Sequence, residues 1–380
     1  MSGSEREYDL VLFGATGYTG RLVARHLASR QVGGARLRWA LAGRSAGRLA
    51  AVAAEIAAPE VPIVVADAGD PPSLRGMAGR TRVIVTTVGP YQLYGSGLVA
   101  ACAASGTDYL DLCGEPGWMR AMIEEHSAEA AQTGARMLFS CGFDSLPSEL
   151  GVWLCQEAAR EKFGAPASRV RGRVRAFVGA PSGGTVATMV ASARAAADDP
   201  DLTTLLADPF ALTPGFTGPP QPPASEPADD PDVGPVVPFM LGAANRMAVH
   251  RSNMLMGHPY GRDFVYDEMI LAAAAPVPAD GAAPPPPAPG EGPTAQQREA
   301  GSFEMVFIGK GPEGHDVRVT VSGGKDPGYG CTSQMIAETA LCLLRSPDVP
   351  GGLWTPAAAL QARLRDQLLE HTNLALAVEA

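Results

Sequence analysis

Residues 8–20 read Tyr-Asp-Leu-Val-Leu-Phe-Gly-Ala-Thr-Gly-Tyr-Thr-Gly, and this stretch decides the predicted fold. Residues 10–13 form an apolar run that is typical of a buried strand. The run enters three glycines, at 14, 17 and 20, and residues 21–29 then carry apolar side chains at helical spacing. A glycine turn between a strand and a helix indicates a dinucleotide-binding fold, and the alternative is a glycine-rich surface turn.

The glycines of this turn have a physical role in the predicted site. A side chain at Gly14 or Gly17 would hold the backbone away from a pyrophosphate, whereas bare N–H groups at a helix N-terminus attract it. Gly20 lets the helix pack closely against the strand. The residues predicted here to bind the cofactor are Gly14, Ala15, Thr16, Gly17, Tyr18, Thr19 and Gly20.

The composition limits the classes of function. The chain has 380 residues, of which 46% are hydrophobic, and this length favours two domains. A net charge of −10 argues against nucleic-acid binding. The six cysteines form no C-x-x-C pair and no histidine cluster has zinc spacing, so we expect reduced thiols and no metal site. Because no signal-type or membrane-spanning apolar run occurs, we expect a cytoplasmic protein without a transmembrane segment.

Further strands follow the glycine turn in alternation with helices. Apolar runs between helical patterns are typical of a parallel sheet that is buried on both faces. We therefore predict an α/β fold class with a doubly wound Rossmann sheet in residues 1–145. After the first strand, the predicted strands are 37–42, 63–66, 83–88, 109–112 and 135–140.

Arg44 and Ser45 follow the second predicted strand, where a Rossmann fold holds the adenosine ribose. An acidic residue there would accept hydrogen bonds from both ribose hydroxyls of NAD, but this chain has an arginine. A planar guanidinium suits a 2′-phosphate, and Ser45 and Arg48 can add donors. The expected cofactor is therefore NADP(H), and the alternative is a solvated arginine at a strand end. Asp67, after the third strand, is assigned to the adenine side from its position, and the alternative is a polar strand end that faces solvent.

Val88, Gly89, Pro90 and Tyr91 lie at the end of the fourth predicted strand and in the loop after it. Open α/β sheets bind ligands beyond the carboxyl ends of their strands, so this loop is expected near the nicotinamide. Gly89 permits a close approach of backbone to cofactor, and Pro90 fixes the turn. Tyr91 offers a ring and a hydroxyl for catalysis, and the alternative is that it only packs the loop.

The sixth predicted strand is followed by polar residues at the edge of the sheet where a substrate would meet the nicotinamide. Cys141, Asp144 and Ser145 are therefore candidate catalytic residues. The alternative is structural, because Asp144 or Ser145 can cap the helix that Pro147 begins.

Five short motifs can be considered together: VLFGATGYTG at 11–20, AGRS at 42–45, TVGPY at 87–91, GTDY at 106–109 and GFDSLPS at 142–148. They resemble the saccharopine dehydrogenase-like oxidoreductases, and among these the trans-acting enoyl reductases of mycobacterial lipid and polyketide assembly. The resemblance implies an N-terminal NADP-binding Rossmann domain, a second α/β domain over the cofactor, and C-terminal helices that return to the first domain. It carries over no catalytic residue, since the matching motifs are cofactor and loop motifs.

The second half of the chain is predicted to form a second α/β (α+β) domain. Stretches of alternating polarity indicate an antiparallel or mixed sheet. Arginines at alternate positions in 170–177 indicate a half-exposed sheet face. The other predicted strands are 263–271, 301–309 and 316–322, and the last helix is 356–370. The predicted limits are 146–330 for this substrate or lid domain and 331–380 for helices that pack back on the Rossmann domain.

Two proline-rich stretches interrupt the second domain. Nine prolines lie in 214–238 and eight in 276–293, half of the 34 in the chain. Such segments do not fill a packed core, so both are predicted to be loops or disordered insertions. Ser182 is predicted to begin a helix whose N-terminus holds an anion or is merely capped. Lys325 and Tyr329 are minor candidates for substrate contact.

The reaction follows from what an NADPH site needs. The acceptor of a hydride must have its charge stabilised and receive a proton. No tyrosine has a lysine four residues later, which disfavours ketone reduction by the short-chain dehydrogenase route. Reduction of a C=C bond conjugated to a thioester carbonyl needs a donor to the enolate oxygen and a proton for the α-carbon. The sequence therefore predicts an NADP-dependent enoyl reductase of lipid, polyketide or secondary metabolism, with Tyr91, Cys141, Asp144 and Ser145 as candidates.

Two other functions are weighed against this prediction. A saccharopine-type imine reaction would need arginines clustered around carboxylates, and a sensor would hold NADP without turnover. The arginines at 194, 246, 251 and 262 show no pattern for such a cluster. The expected partners are a small-molecule or carrier-bound acyl substrate, an acyl carrier protein or polyketide synthase that presents it, and a second copy in a homodimer.

Overall fold

The chain alternates strands and helices through its first half. The structure is a computed structural model that describes residues 6–30, 37–275, 285, 287–288, 290–312 and 315–379. The elements are β1 (Tyr8–Phe13), α1 (Tyr18–Ala28), β2 (Trp39–Gly43), α2 (Ala46–Glu55), β3 (Ile63–Val65), α3 (Pro71–Gly79), β4 (Thr81–Thr86), α4 (Tyr91–Tyr94), α5 (Ser96–Ser105), β5 (Asp108–Leu110), α6 (Pro116–Thr133) and β6 (Arg136–Leu138).

The second half begins with a long helix and builds a separate sheet. Its elements are α7 (Leu146–Phe163), β7 (Arg169–Val178), α8 (Gly183–Asp198), α9 (Pro200–Ala207), β8 (Ala228–Asp230), β9 (Gly234–Pro238), α10 (Gly242–Leu255), β10 (Val265–Leu271), α11 (Ala295–Ala300), β11 (Ser302–Lys310), β12 (Asp316–Gly323), a π-helical turn (Pro327–Cys331), α12 (Thr332–Leu344), β13 (Gly352–Trp354), α13 (Pro356–Leu360), α14 (Ala362–His371) and β14 (Leu374–Val378).

The first sheet confirms the predicted Rossmann topology. Its seven strands are parallel and run in the order β13, β6, β5, β4, β1, β2, β3. Leu10 and Leu12 of β1 face one hydrophobic cluster, while Val11 and Phe13 face the other. The strands read as continuous apolar runs because helices cover both faces.

The second sheet is mixed, as predicted. Its order is β14, β12, β11, β7, β10, β9, β8, and only the β7–β10 pair is parallel among the described strands. The expectation of a half-exposed basic face on β7 is wrong for Arg171 and Arg173, which are buried. Arg173 pairs with Asp230 and Asp267, so these guanidiniums lie in an ion-pair network.

The C-terminal segment contributes to both sheets. β13 extends the Rossmann sheet beside β6, and β14 extends the second sheet beside β12. α12 packs against α1, where Glu338 accepts a hydrogen bond from His26 at 2.6 Å. The predicted helix over 356–370 is interrupted at Gln361, whose φ of 48° separates α13 from α14. The domain limits near 145 and 330 stay predictions.

The proline-rich stretches have different outcomes. The loop prediction for 214–238 is wrong at its C-terminal end, because β8 and β9 pair there as an antiparallel edge of the second sheet. The prolines of this hairpin, Pro235 and Pro238, lie in β9, between β8 and β10. In the second stretch, residues 276–284, 286 and 289 lie outside the described residues. Its described end contacts the glycine turn, where the Tyr18 hydroxyl donates to the Pro293 carbonyl.

Candidate functional site

The glycine turn leaves no room for a Cβ at Gly14 or Gly20. Gly14 has a φ of +88°, and a Cβ there would come within 2.8 Å of both Thr87 and Val88. A Cβ on Gly20 would lie 2.2 Å from the Gly14 carbonyl oxygen, because α1 packs directly against the turn. Gly17, the N-cap of α1, has no side chain that could accept from the first amides of the helix. These amides are therefore available to a diphosphate, and the turn fits the cofactor that the sequence predicts.

The turn is joined to the loop after β4. The Thr87 amide donates to the Phe13 carbonyl at 3.0 Å, and the Thr87 hydroxyl donates to the Gly14 carbonyl at 3.2 Å. Val88 and Gly89 therefore lie beside the turn, at the carboxyl ends of two neighbouring strands. Ala15, Thr16, Tyr18 and Thr19 belong to the same turn and the first turn of α1.

Arg44 lies at the carboxyl end of β2, as the NADP prediction requires. It is exposed, and no ion pair holds its side chain within the described part of the chain. Ser45 is the N-cap of α2 and accepts from the Arg48 amide at 3.4 Å. Asp67, after β3, accepts from the Gly69 amide at 2.9 Å in a local turn. Arg44 is thus the predicted adenosine-end residue with a free charged group.

Tyr91 is a buried residue that connects two loops. Its hydroxyl donates to the Thr86 carbonyl at 3.3 Å and accepts from the Leu112 amide at 3.1 Å. Burial raises the pKa of this hydroxyl well above its usual value. These contacts favour the structural interpretation of Tyr91. The Gly89–Pro90 peptide before it is cis.

Glu115 was not singled out by sequence reasoning, yet it fixes the Tyr91 loop. Its carboxylate accepts from the Tyr91 amide at 2.7 Å and from the Gln92 amide at 2.9 Å. It thereby caps the short helix α4 from a different loop of the sheet. A carboxylate that caps a distant helix leaves no local signal in the sequence.

Cys141 and Ser145 point into the protein. The Cys141 thiol donates to the Leu138 carbonyl, and burial raises the pKa of the thiol well above its usual value. The Ser145 hydroxyl lies 3.3 Å from the Asn245 amide oxygen, which belongs to a buried network around Glu268. Both arrangements favour structural roles.

Asp144 differs from these neighbours. It keeps partial contact with solvent, and no hydrogen bond to its carboxyl occurs among the described residues. Burial raises the pKa of this carboxyl from 3.8 to about 6. The carboxyl oxygen is 3.0 Å from the position of a Cβ on Gly114, so it lies at the carboxyl ends of β5 and β6. A carboxyl with this pKa can hold and release a proton near neutral pH.

Tyr329 approaches the site from the second half of the chain. Its ring meets the Tyr18 ring edge to face at 5.0 Å, and its hydroxyl accepts from the Ser182 amide. Burial raises the pKa of Tyr329, and the charge of Asp144 adds to this rise. Tyr329 therefore lies close enough to connect the cofactor turn, Asp144 and the start of α8. The minor sequence candidate Lys325 instead pairs with Glu299.

Comparisons with known proteins agree with this geometry. Residues 10–138 match the family model described as the saccharopine dehydrogenase NADP binding domain. A Mycobacterium tuberculosis protein provisionally named a trans-acting enoyl reductase is 38% identical over 408 residues, which cover 97% of both chains. A Mycobacterium ulcerans protein named trans-acting enoyl reductase is 36% identical over 412 residues and 95% of both chains.

The fold has a counterpart among solved structures. Apo saccharopine dehydrogenase (L-Glu forming) from Saccharomyces cerevisiae aligns with a TM-score of 0.54 at 11% identity, over 98% of this chain and all of that one. At this identity the likeness concerns the fold alone. No helix within the described ranges is long and apolar enough to cross a bilayer. The chain is therefore an NADP-dependent member of the saccharopine dehydrogenase-like oxidoreductases, related over nearly its whole length to trans-acting enoyl reductases.

Proposed function

We propose that this protein reduces the C=C bond of an α,β-unsaturated thioester, with NADPH as the reductant. The observation that carries the proposal is Asp144, a partly exposed carboxyl without a hydrogen-bond partner in the described chain, beside the loop that follows β5. The names of the relatives support the same reaction. An acid of this kind suits an acceptor that needs one proton on carbon.

The residues that would hold the cofactor follow from the turn. Gly14, Gly17 and Gly20 leave backbone amides open to the diphosphate, and Arg44 would bind the 2′-phosphate. NADPH, when bound, supplies the hydride that adds to the β-carbon of the substrate. Gly89 leaves the approach to this end of the site without a side chain.

Asp144 would complete the reaction on the substrate. As the β-carbon gains its new C–H bond, the π electrons move onto the thioester oxygen and form an enolate. Asp144 then gives its proton to the α-carbon, and the enolate returns to a carbonyl. The product is the saturated thioester, and the carboxylate regains a proton from solvent, which its partial exposure allows.

The substrate would be an acyl group on a carrier. The mycobacterial relatives are named as trans-acting, which supports a substrate presented by an acyl carrier protein or a polyketide synthase. The pathway in lipid or secondary metabolism and a homodimer belong to the same proposal as predictions from sequence.

The contacts of the remaining arginines do not favour a saccharopine-type reaction. Arg251 donates to the Leu212 and Leu353 carbonyls at 2.7 Å, so it is used within the fold. Arg246 donates to a backbone carbonyl, and Arg262 lies over the Phe216 ring at 4.8 Å. They form no cluster that could clamp two carboxylates.

The test is NADPH oxidation with enoyl thioesters of several chain lengths, on coenzyme A and on an acyl carrier protein. We expect turnover with a saturated thioester as product, detected by mass spectrometry. Glutarate- and glutamate-type imine substrates serve as the comparison. Binding of NADPH without oxidation by any enoyl thioester would refute the proposed reaction and favour a sensor.

A further inference from the structure

Helix α8 presents a row of hydroxyl groups to the loops of the Rossmann sheet. Thr185, Thr188 and Ser192 lie on one side of the helix, because they are spaced by three and four residues. The Thr188 hydroxyl is 3.9 Å from the position of a Cβ on Gly89. The Ser192 hydroxyl accepts from the Gln92 side chain at 3.2 Å. This side of α8 therefore covers the loop that the cofactor's nicotinamide end is proposed to reach.

The row begins at a hydrogen-bond chain that leads from the buried Ser182 amide to the exposed Thr185. The Ser182 amide donates to the Tyr329 hydroxyl, which lies 2.6 Å from the Thr185 hydroxyl. The Tyr329 and Thr185 hydroxyls share one hydrogen bond, and the Ser182 hydroxyl lies 3.4 Å from Thr185. When Tyr329 is the donor, the Thr185 proton can point to a bound substrate. Chains of this kind polarise each member, so the last hydroxyl becomes a better donor.

Thr188 has no hydrogen-bond partner in the part of the chain that the structure describes, although it faces a loop of the site. Its partial burial limits its access to water. A hydroxyl without a partner inside the protein can turn to a substrate oxygen that develops negative charge without breaking another hydrogen bond. Besides burial, the charge of Asp144 raises the pKa of Tyr329, whose hydroxyl contacts Thr185.

We infer that the Thr185 and Thr188 hydroxyls hold the thioester oxygen of the substrate and stabilise it as the enolate forms, while Tyr329 positions Thr185. This inference rests on the proposed reduction of an unsaturated thioester. It assigns the oxygen donors to the second half of the chain and the proton donor to the first half.

The first test replaces each threonine by valine, which keeps the shape of the side chain but removes the hydroxyl. We expect Thr188→Val and Thr185→Val each to lower kcat by about 10²-fold, with the Kd for NADPH unchanged, because a single oxyanion donor has an effect of that order. Thr188→Ser should recover most of the rate. The control is Thr204→Val on α9, whose hydroxyl only donates to the Pro200 carbonyl and should leave kcat within twofold.

Tyr329→Phe tests the positioning role. It should lower kcat by about tenfold without a rise in KM, since the tyrosine touches Thr185 and not the substrate. In the double variant with Thr185→Val, the loss should equal that of Thr185→Val alone, because both changes disable one donor. Additive losses, or a KM effect in place of a kcat effect, would overturn this role of Tyr329.

A binding measurement separates this inference from the proposed reaction. Calorimetry with a saturated acyl-coenzyme A and the enzyme loaded with NADP⁺ should show three- to tenfold weaker binding for the two valine variants, by about one hydrogen bond each. If the wild type reduces no enoyl thioester but shows this loss, the oxygen donors stand and the reaction fails. If it reduces enoyl thioesters and both valine variants stay within twofold in kcat and Kd, the inference fails.

Discussion

Asp144→Asn should make the protein less active and more stable. Burial raises the pKa of Asp144 from 3.8 to about 6, so the ionised carboxylate is disfavoured in the folded protein relative to the unfolded chain. The wild type therefore loses stability as the pH rises from about 4 to about 6, and the loss is complete above that range. One pH unit corresponds to about 1.4 kcal/mol, so at neutral pH the loss reaches at most about 3 kcal/mol.

The assay is urea unfolding of the wild type and the variant between pH 4 and pH 8. An amide does not ionise, so the two proteins should differ little in their pH-dependent stability near pH 4. At pH 7.5 the variant should have gained about 1 to 3 kcal/mol relative to the wild type, the lower value reflecting the partial solvent contact of the carboxyl. Asp229→Asn, at an exposed edge-strand position, should show no such gain.

Activity gives the second half of the prediction. The acid must carry a proton to act, so kcat of the wild type should fall tenfold per pH unit above about pH 6 when proton transfer limits the rate. The variant should lose about 10²- to 10⁴-fold in kcat and lack this pH dependence. A variant as active as the wild type would refute the role of Asp144 as proton donor. A variant whose stability relative to the wild type does not change with pH would refute the raised pKa of Asp144.

Three further changes test the cofactor turn and its support. Arg44→Ala should weaken NADPH binding by about 10- to 100-fold and leave NADH binding unchanged, since one charge-assisted contact to the 2′-phosphate is lost. Fluorescence titration with both cofactors measures this. An equal loss of affinity for both cofactors would contradict it. Gly20→Ala places a Cβ 2.2 Å from the Gly14 carbonyl oxygen and should abolish NADPH binding, which the same titration follows; NADPH affinity equal to that of the wild type would contradict this. Glu338→Gln should destabilise the fold by about 3 kcal/mol at pH 7. Burial alone would raise the pKa of Glu338, but the hydrogen bond from His26 and the other partners of this carboxylate hold its pKa below the usual value. The stability that the wild type gains from the carboxylate is therefore lost as the pH falls through the lowered pKa of Glu338. If wild type and variant differ in unfolding free energy at pH 3 by as much as at pH 7, this reasoning is wrong.

Local patterns were sufficient for the first sheet. Five of its six N-terminal strands are buried along most of their length, and the exception is the edge strand β3. Each of the six is followed by a turn and a helix, so apolar runs and glycines mark the sheet directly in the sequence. The positions of Gly14 and Arg44 follow from the same order, because the carboxyl ends of parallel strands share one edge. The sequence pattern could not tell that Tyr91 and Cys141 are buried while Asp144 stays partly exposed, since all three residues follow strands at this edge of the sheet.

Other features depend on contacts between distant parts of the chain. β13 has three residues and no periodicity of its own, so only its pairing with β6 makes it a strand of the Rossmann sheet. The arginines of β7 have the alternation of an exposed face, but their burial was decided by aspartates on β8 and β10. Alternation shows which side chains share a face and leaves open what covers that face.

The sequence by itself determined the strand–glycine turn–helix unit, the parallel sheet around it and the position of Arg44 at the carboxyl end of the second strand. These depend on burial periodicity and on backbone conformations that act within a few residues. Only the tertiary structure decided which polar group at this edge of the sheet lacks a hydrogen-bond partner in the described chain and which hydroxyl lies over the Gly89 loop. Asp144, Tyr329 and Thr188 come from three separate segments, and their surroundings arise when the second half of the chain packs over the first.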